Sequence, residues 1–241
     1  MFINDIYRDD TYYIEKDGEK IIKFHSAEAD SYVTEARNDT IYIFYEDFLG
    51  NITMLEIKEN KLSKEFIFIS KEKKNTDKMI NVHFRNNKMV VLFSSSYKNM
   101  TLINMYTKRK GVCVFDVCDS RNFISLKKAN NDILVVYRKG IYLGCSTISG
   151  DSYSDFLRIA SKTPISAYEF YDGIYILGRE ERYTLINIKN NNKYYLPLVF
   201  GIKPSIYCND KTIYISYKKG RREIIYKISD NVILFHAEKE Y

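Results

Sequence analysis

Three histidines, four cysteines and a scatter of carboxylates are the residues from which this chain could build a metal centre or a catalytic site. His25, His83 and His236 are isolated from one another, and no H-x-H, H-E-x-x-H or mixed Cys/His cluster places two ligands on one short segment. Zinc needs three or four such ligands held in a tetrahedron. Folding alone would have to assemble that set, so no metal and no other cofactor is expected. Cys113, Cys118, Cys145 and Cys208 show neither metal-ligand spacing nor the density of a disulfide framework. They read as buried free thiols in a reducing compartment. Cys113 and Cys118, five positions apart, are expected on opposite faces of one extended strand, because side chains alternate along it.

Nucleophilic and phosphate chemistry find no motif. A G-x-S-x-G elbow is absent, and Ser94-Ser95-Ser96 reads as a strand end followed by a loop. Neither a G-x-x-x-x-G-K-[ST] loop nor a G-x-G-x-x-G loop occurs. Asp151 and Asp155 flank Ser152-Tyr153-Ser154 and, with Gly150, form an ordinary turn. Loops converging on an axis could bring together the two carboxylates of a glycosidase, but nothing in the sequence selects a pair. A hydrolase or lyase with an axial site therefore stands only as an alternative, with no catalytic residue to name.

Charge is more informative. Lys71, Lys73 and Lys74 form one basic cluster, Arg138 and Lys139 a second, and Lys218, Lys219, Arg221 and Arg222 a third. Such clusters on one surface could meet an acidic protein, an anionic polysaccharide or a phosphate backbone. The same pattern arises wherever lysine solvates turns, and Glu72, Glu180 and Glu181 interrupt the field. Asp10, Asp39, Asp132, Asp172 and Asp210 recur at equivalent turns and could ring a cation. Asn and Asp also belong in such turns because they tolerate left-handed backbone, and that explanation suffices.

The elements that position these groups are repeats. Runs of alternating aliphatic and tyrosine residues begin at Tyr12, Ile41, Met89, Ile133, Ile174 and Ile213, each after an Asn/Asp turn. From the second start onward the spacings are 48, 44, 41 and 39 residues. Strands repeating at that period indicate propeller blades. Four strand segments recur in most modules, and Asp172-Gly173 in the fifth predicts a type I′ hairpin. The first module supplies Phe2 to Tyr7, Tyr12 to Ile14 and Ile21 to Phe24, with no fourth strand. No segment of helical periodicity is found.

The expected fold is therefore all-β: a β-propeller of about six four-stranded blades, with five or seven blades or an irregular β-sandwich as alternatives. One domain spans 1–241, in modules 1–31, 32–78, 79–120, 121–163, 164–202 and 203–241. Stacking sheets radially covers faces that no single sheet could bury alone. With no Trp in the chain, the WD, kelch and sialidase-box signatures are all missing. The resemblance is to propeller architecture in general, and fold alone says little about function.

The 22 Tyr and 14 Phe suit a pleated, half-buried surface. Strand runs such as Ile41-Tyr42-Ile43-Phe44-Tyr45 predict tyrosines in inter-blade packing, with the hydroxyl as a polar handle. Exposed tyrosines would instead offer sugar-stacking platforms. A net charge of +6 is moderate and disfavours nucleic acid as the ligand. No apolar run approaches a membrane span, and the N-terminus shows no signal-peptide pattern. The expectation is a cytoplasmically synthesised, non-enzymatic binding or scaffold propeller with a protein partner, within a larger virus- or phage-tail-like assembly or particle. A carbohydrate- or surface-binding module with an acidic or glycan ligand is the alternative.

Overall fold

A computed structural model describes residues 11–16, 19–25, 32–37, 39–47, 49–59, 61–69, 80–97, 100–118, 123–140, 142–149, 152–160, 163–179 and 181–241. The regular elements among them are strands, with no helix. The chain forms two compact units, Met1–Arg121 and Asn122–Tyr241.

In the first unit, β1 (Thr11–Lys16) and β2 (Glu19–His25) form a two-stranded sheet. Four-stranded sheets follow from β3 (Tyr32–Arg37), β4 (Thr40–Glu46), β5 (Ile52–Lys58) and β6 (Lys61–Phe68), and from β7 (Ile80–Arg85), β8 (Lys88–Tyr97), β9 (Met100–Thr107) and β10 (Gly111–Cys118). The second unit holds three more. They are β11 (Phe123–Lys127), β12 (Ile133–Lys139), β13 (Tyr142–Ser149) and β14 (Ser152–Ala160); β15 (Thr163–Phe170), β16 (Gly173–Arg179), β17 (Tyr183–Asn187) and β18 (Lys193–Tyr195); and β19 (Ser205–Asn209), β20 (Thr212–Lys219), β21 (Arg222–Ser229) and β22 (Val232–Glu240). Every four-stranded sheet is an antiparallel meander in chain order. The expected first strand of the first module, Phe2 to Tyr7, lies outside the described residues.

Turn chemistry sets the register. Asn86-Asn87 (φ 45° and 61°), Asp210-Lys211 (44° and 62°) and Asp230-Asn231 (51° and 62°) all hold both central residues at positive φ, the type I′ geometry that matches strand twist. The hairpin expected at Asp172-Gly173 differs. Phe170 pairs with Gly173, so Tyr171 and Asp172 are the central residues and neither has positive φ. Gly173 opens β16 at φ 155°, and a Cβ there would lie 3.4 Å from Asn187 Oδ1. The glycine supplies this positive φ at the start of β16 rather than making the turn. The fourth strand of this sheet is short, Lys193–Tyr195. Pro197 has no N–H to continue the ladder, and β18 ends at Tyr195.

The cysteine expectation is corrected as well. Cys113 pairs with Met105 and Cys118 with Thr101, four residues apart on β9, so both point to the same face. The bulge between Val114 and Asp116 inserts one residue and resets the alternation. All four cysteines are free. Burial pushes the Cys145 thiol up to about 12, leaving it protonated and unreactive.

Cores form where sheets face each other. Phe44, Ile52 and Met54 of β4 and β5 meet Val82, Val91 and Phe93 of β7 and β8. In the second unit, Leu134 and Val136 pack on Ile176 and Ile186, and Tyr175 and Leu185 pack with Ile213, Ile215 and Tyr217. The buried strand tyrosines behave as expected, whereas Tyr195 and Tyr207 are exposed. The buried Tyr217 donates its hydroxyl to the Pro197 carbonyl at 2.6 Å, across the sheet boundary. Tyr194 likewise reaches Asn231 Oδ1 at 2.9 Å, and Tyr106 of β9 reaches Glu65 of β6 at 2.7 Å. Each ring fills apolar space while its hydroxyl ties neighbouring sheets together.

Candidate functional site

The second unit carries cations at the turns joining second to third strands. Its three sheets are meanders of the same order and stack through shared cores, with β11 against β15, so equivalent turns emerge at the same end. Arg138 and Lys139 close β12, and Lys218, Lys219, Arg221 and Arg222 surround the β20–β21 turn at Gly220. Between them lies the turn from β16 to β17, which carries Arg179 and Arg182. Lys71, Lys73 and Lys74 lie outside the described residues. Lys108, Arg109 and Lys110 are exposed at the β9–β10 turn of the first unit, a third-to-fourth-strand turn.

Arg179 and Arg182 were not singled out from sequence, because Glu180 and Glu181 beside them mask the charge in a linear reading. The signal that could have found them is positional: they occupy the same turn of the fifth module that Arg138 and Lys139 occupy in the fourth. Glu181 lies within the second of these turns, and Glu223 follows the third.

Aromatic rings hold several of these cations in place. The Arg182 guanidinium lies 4.3 Å from the centroid of Tyr195, and Lys193 Nζ lies 5.3 Å from the same ring. Arg179 lies over Tyr183 at 5.5 Å, and Lys218 Nζ over Tyr241 at 4.9 Å. A guanidinium resting on a ring face keeps its N–H edges directed outward and loses less freedom on binding. Some charge is already engaged: Arg222 pairs with Glu238 at 2.6 Å, and Arg138 Nε donates to the Gly140 carbonyl.

Glu223, two residues after Arg221, is fastened from two sides. Ser216 Oγ donates to it at 2.5 Å and the Tyr241 hydroxyl at 2.7 Å. These hydrogen bonds, with Lys239 and Lys218 nearby, hold its carboxyl below the usual range, so it stays ionised. The Tyr241 N–H also donates to the Arg221 carbonyl at 2.8 Å. The result is an ordered base under the β20–β21 turn, from which Lys219 and Arg221 project exposed.

Asp132 and Asn130 exchange hydrogen bonds within their turn, and Asp172 accepts from the Tyr175 hydroxyl at 2.8 Å. Asp39 and Asp210 hold positive φ, and Asp10 lies outside the described residues. His236 packs its ring 5.2 Å from Tyr214. Among the described residues no group of three His, Cys, Asp or Glu side chains is placed to hold a metal ion. No described helix is long and apolar enough to cross a membrane.

No protein-family model and no curated protein matches the sequence. Solved structures do match in shape. The Dos1 propeller superposes with a TM-score of 0.64 at 9% identity, over 97% of this chain and 65% of that one. The dihydro-heme d1 dehydrogenase NirN follows at 0.54 and 14%, over 95% and 51%. One of two prolyl endopeptidases gives 0.50 and 10%, over 87% and 36%. The fold is a β-propeller. This chain spans less than two-thirds of each of those proteins, and their names cover unrelated activities, so the likeness carries fold and not function.

Proposed function

We propose that this propeller is a non-enzymatic binding or scaffold module that holds an acidic protein partner through the basic turns of its second unit. The observation that supports this reading most is the recurrence of arginine and lysine at three successive equivalent turns, with Arg179, Arg182 and Lys218 resting on tyrosine rings. Ring-held guanidinium groups suit planar carboxylates, which they can engage with two parallel hydrogen bonds. Several cations at one end would also speed encounter with an acidic surface, an effect that salt weakens. A scaffold role within a larger assembly or particle belongs to the same reading.

The test is recovery of the native protein from its source, with mass determination of the complex, alongside the Lys219→Glu/Arg221→Glu variant. A defined multi-protein complex, lost in the variant and weakened by added salt, supports the reading. A free monomer, or a complex indifferent to the double reversal, rejects it.

A further inference from the structure

A second feature lies at the end of the second unit that bears the β11–β12 and β15–β16 turns, away from the basic turns. There an open recess of about 680 Å³ is lined by Glu169, Phe170, Tyr171, Ile206, Tyr207 and Cys208, with Ala129 on its rim. Its size falls within the range of small-ligand sites. Tyr171 and Tyr207 are 61% and 40% exposed, so their rings are available to a ligand. Tyr207 is backed by Tyr214, stacked at 5.3 Å, and Phe170 by Tyr168 and Tyr175 at 5.8 and 5.6 Å. The aromatic surface is thus held from behind.

Among the described residues the lining contains aromatic, aliphatic and acidic side chains, a thiol and no Lys, Arg or His. Glu169 Oε2 accepts the Ala129 N–H at 2.6 Å, which orients the carboxylate between two sheets. Its second oxygen has no protein partner among the described residues. Asp172 adds a carboxylate beside Tyr171, whose phenol pKa is raised by partial desolvation and then by the Asp172 charge. One oxygen of Asp172 is itself buried with no hydrogen-bond partner among the described residues. Negative ring faces beside carboxylates attract a cation and repel an anion.

We propose that this recess is a cation-binding site that takes an alkylammonium or guanidinium group. The charged head lies between Glu169 and the faces of Tyr171 and Tyr207, and its aliphatic stem lies along Ile206 and Phe170. The group can come from a free amine or from a lysine or arginine side chain of a partner.

Calorimetric titration of the full chain tests this with two matched pairs. Choline is compared with its uncharged isostere 3,3-dimethylbutan-1-ol, and a capped Gly-Lys-Gly peptide with the same peptide carrying norleucine. Both neutral compounds are expected to bind far more weakly than their cations. Tighter binding of the peptide than of choline assigns the site to a partner side chain, and the reverse to a free amine. Glu169→Gln, which keeps an acceptor for the Ala129 N–H, and Tyr207→Ala should each weaken the cation roughly 2- to 30-fold. Lys219→Glu/Arg221→Glu, at the other end of the unit, should not weaken it, so this site and the basic turns fail independently. The proposal is overturned if the neutral isosteres bind as well as the cations, if no cation binds, or if Glu169→Gln leaves affinity unchanged in a variant with an unaltered melting curve.

Discussion

Arg182 rests its guanidinium on the ring of Tyr195, 4.3 Å from the centroid, although one residue lies in the β16–β17 turn and the other on β18. β17 pairs Thr184 with Tyr195, and that register brings the ring beneath the turn residue. The contact converts a flexible surface charge into an oriented one. Arg182→Lys keeps the charge but loses the planar fork. Affinity for the proposed acidic partner should fall several-fold and salt dependence should change little. Tyr195→Ala should reproduce that loss. Equal affinities in wild type and Arg182→Lys, measured by titration at two salt concentrations, would show that the stacking has no role in binding.

Tyr217 separates packing from hydrogen bonding. Its ring is fully buried and its hydroxyl donates to Pro197 at 2.6 Å. Tyr217→Phe removes only the hydroxyl and should cost about 1–3 kcal/mol, because the carbonyl loses a partner. Tyr217→Ala also opens a cavity between β16 and β20 and should cost about 3–5 kcal/mol. Urea unfolding of both variants gives the two numbers, and equal losses would contradict the division.

High pH should unfold the protein cooperatively. Burial raises the phenols of Tyr106, Tyr175 and Tyr217 above their ordinary value; hydrogen bonds to Glu65 and Asp172 raise the first two further. The unfolded chain would ionise these groups near about 10. Their contribution is therefore complete below that pH and is lost as pH rises above it towards the folded values. The part of the tyrosinate absorbance that these buried phenols contribute should appear together with the loss of circular dichroism, above about pH 10. Ionisation of all tyrosines well before the loss of structure would refute this.

Gly173 tests a backbone requirement. At φ 155° and with Asn187 Oδ1 3.4 Å from the position of a Cβ, Gly173→Ala should destabilise by about 1–3 kcal/mol. Asn86, at φ 45°, should tolerate Asn86→Gly with little change, since glycine adopts that conformation freely. Thermal melts of both variants make the comparison. A Gly173→Ala protein as stable as wild type would mean that the backbone relaxes there.

The local pattern determined most of the strands and their order. Period-two alternation such as Ile213-Tyr214-Ile215 settles which residues lie on one face, and Asn/Asp pairs such as Asn86-Asn87 carry the positive φ that a tight hairpin needs. Both are short-range properties, written in neighbouring residues. What spacing could not determine was any feature depending on a second strand or sheet. The bulge at Val114 and Asp116, which sets Cys113 and Cys118 on one face, comes from pairing with β9. The meeting of Arg182 with Tyr195, and of Glu169 with Ala129 40 residues away, needs strands already in register and sheets already stacked. Both candidate sites draw on separate segments of the chain. Tertiary packing alone brought their members within reach, because Coulombic and ring contacts act over a few ångströms of space, whatever the separation along the sequence.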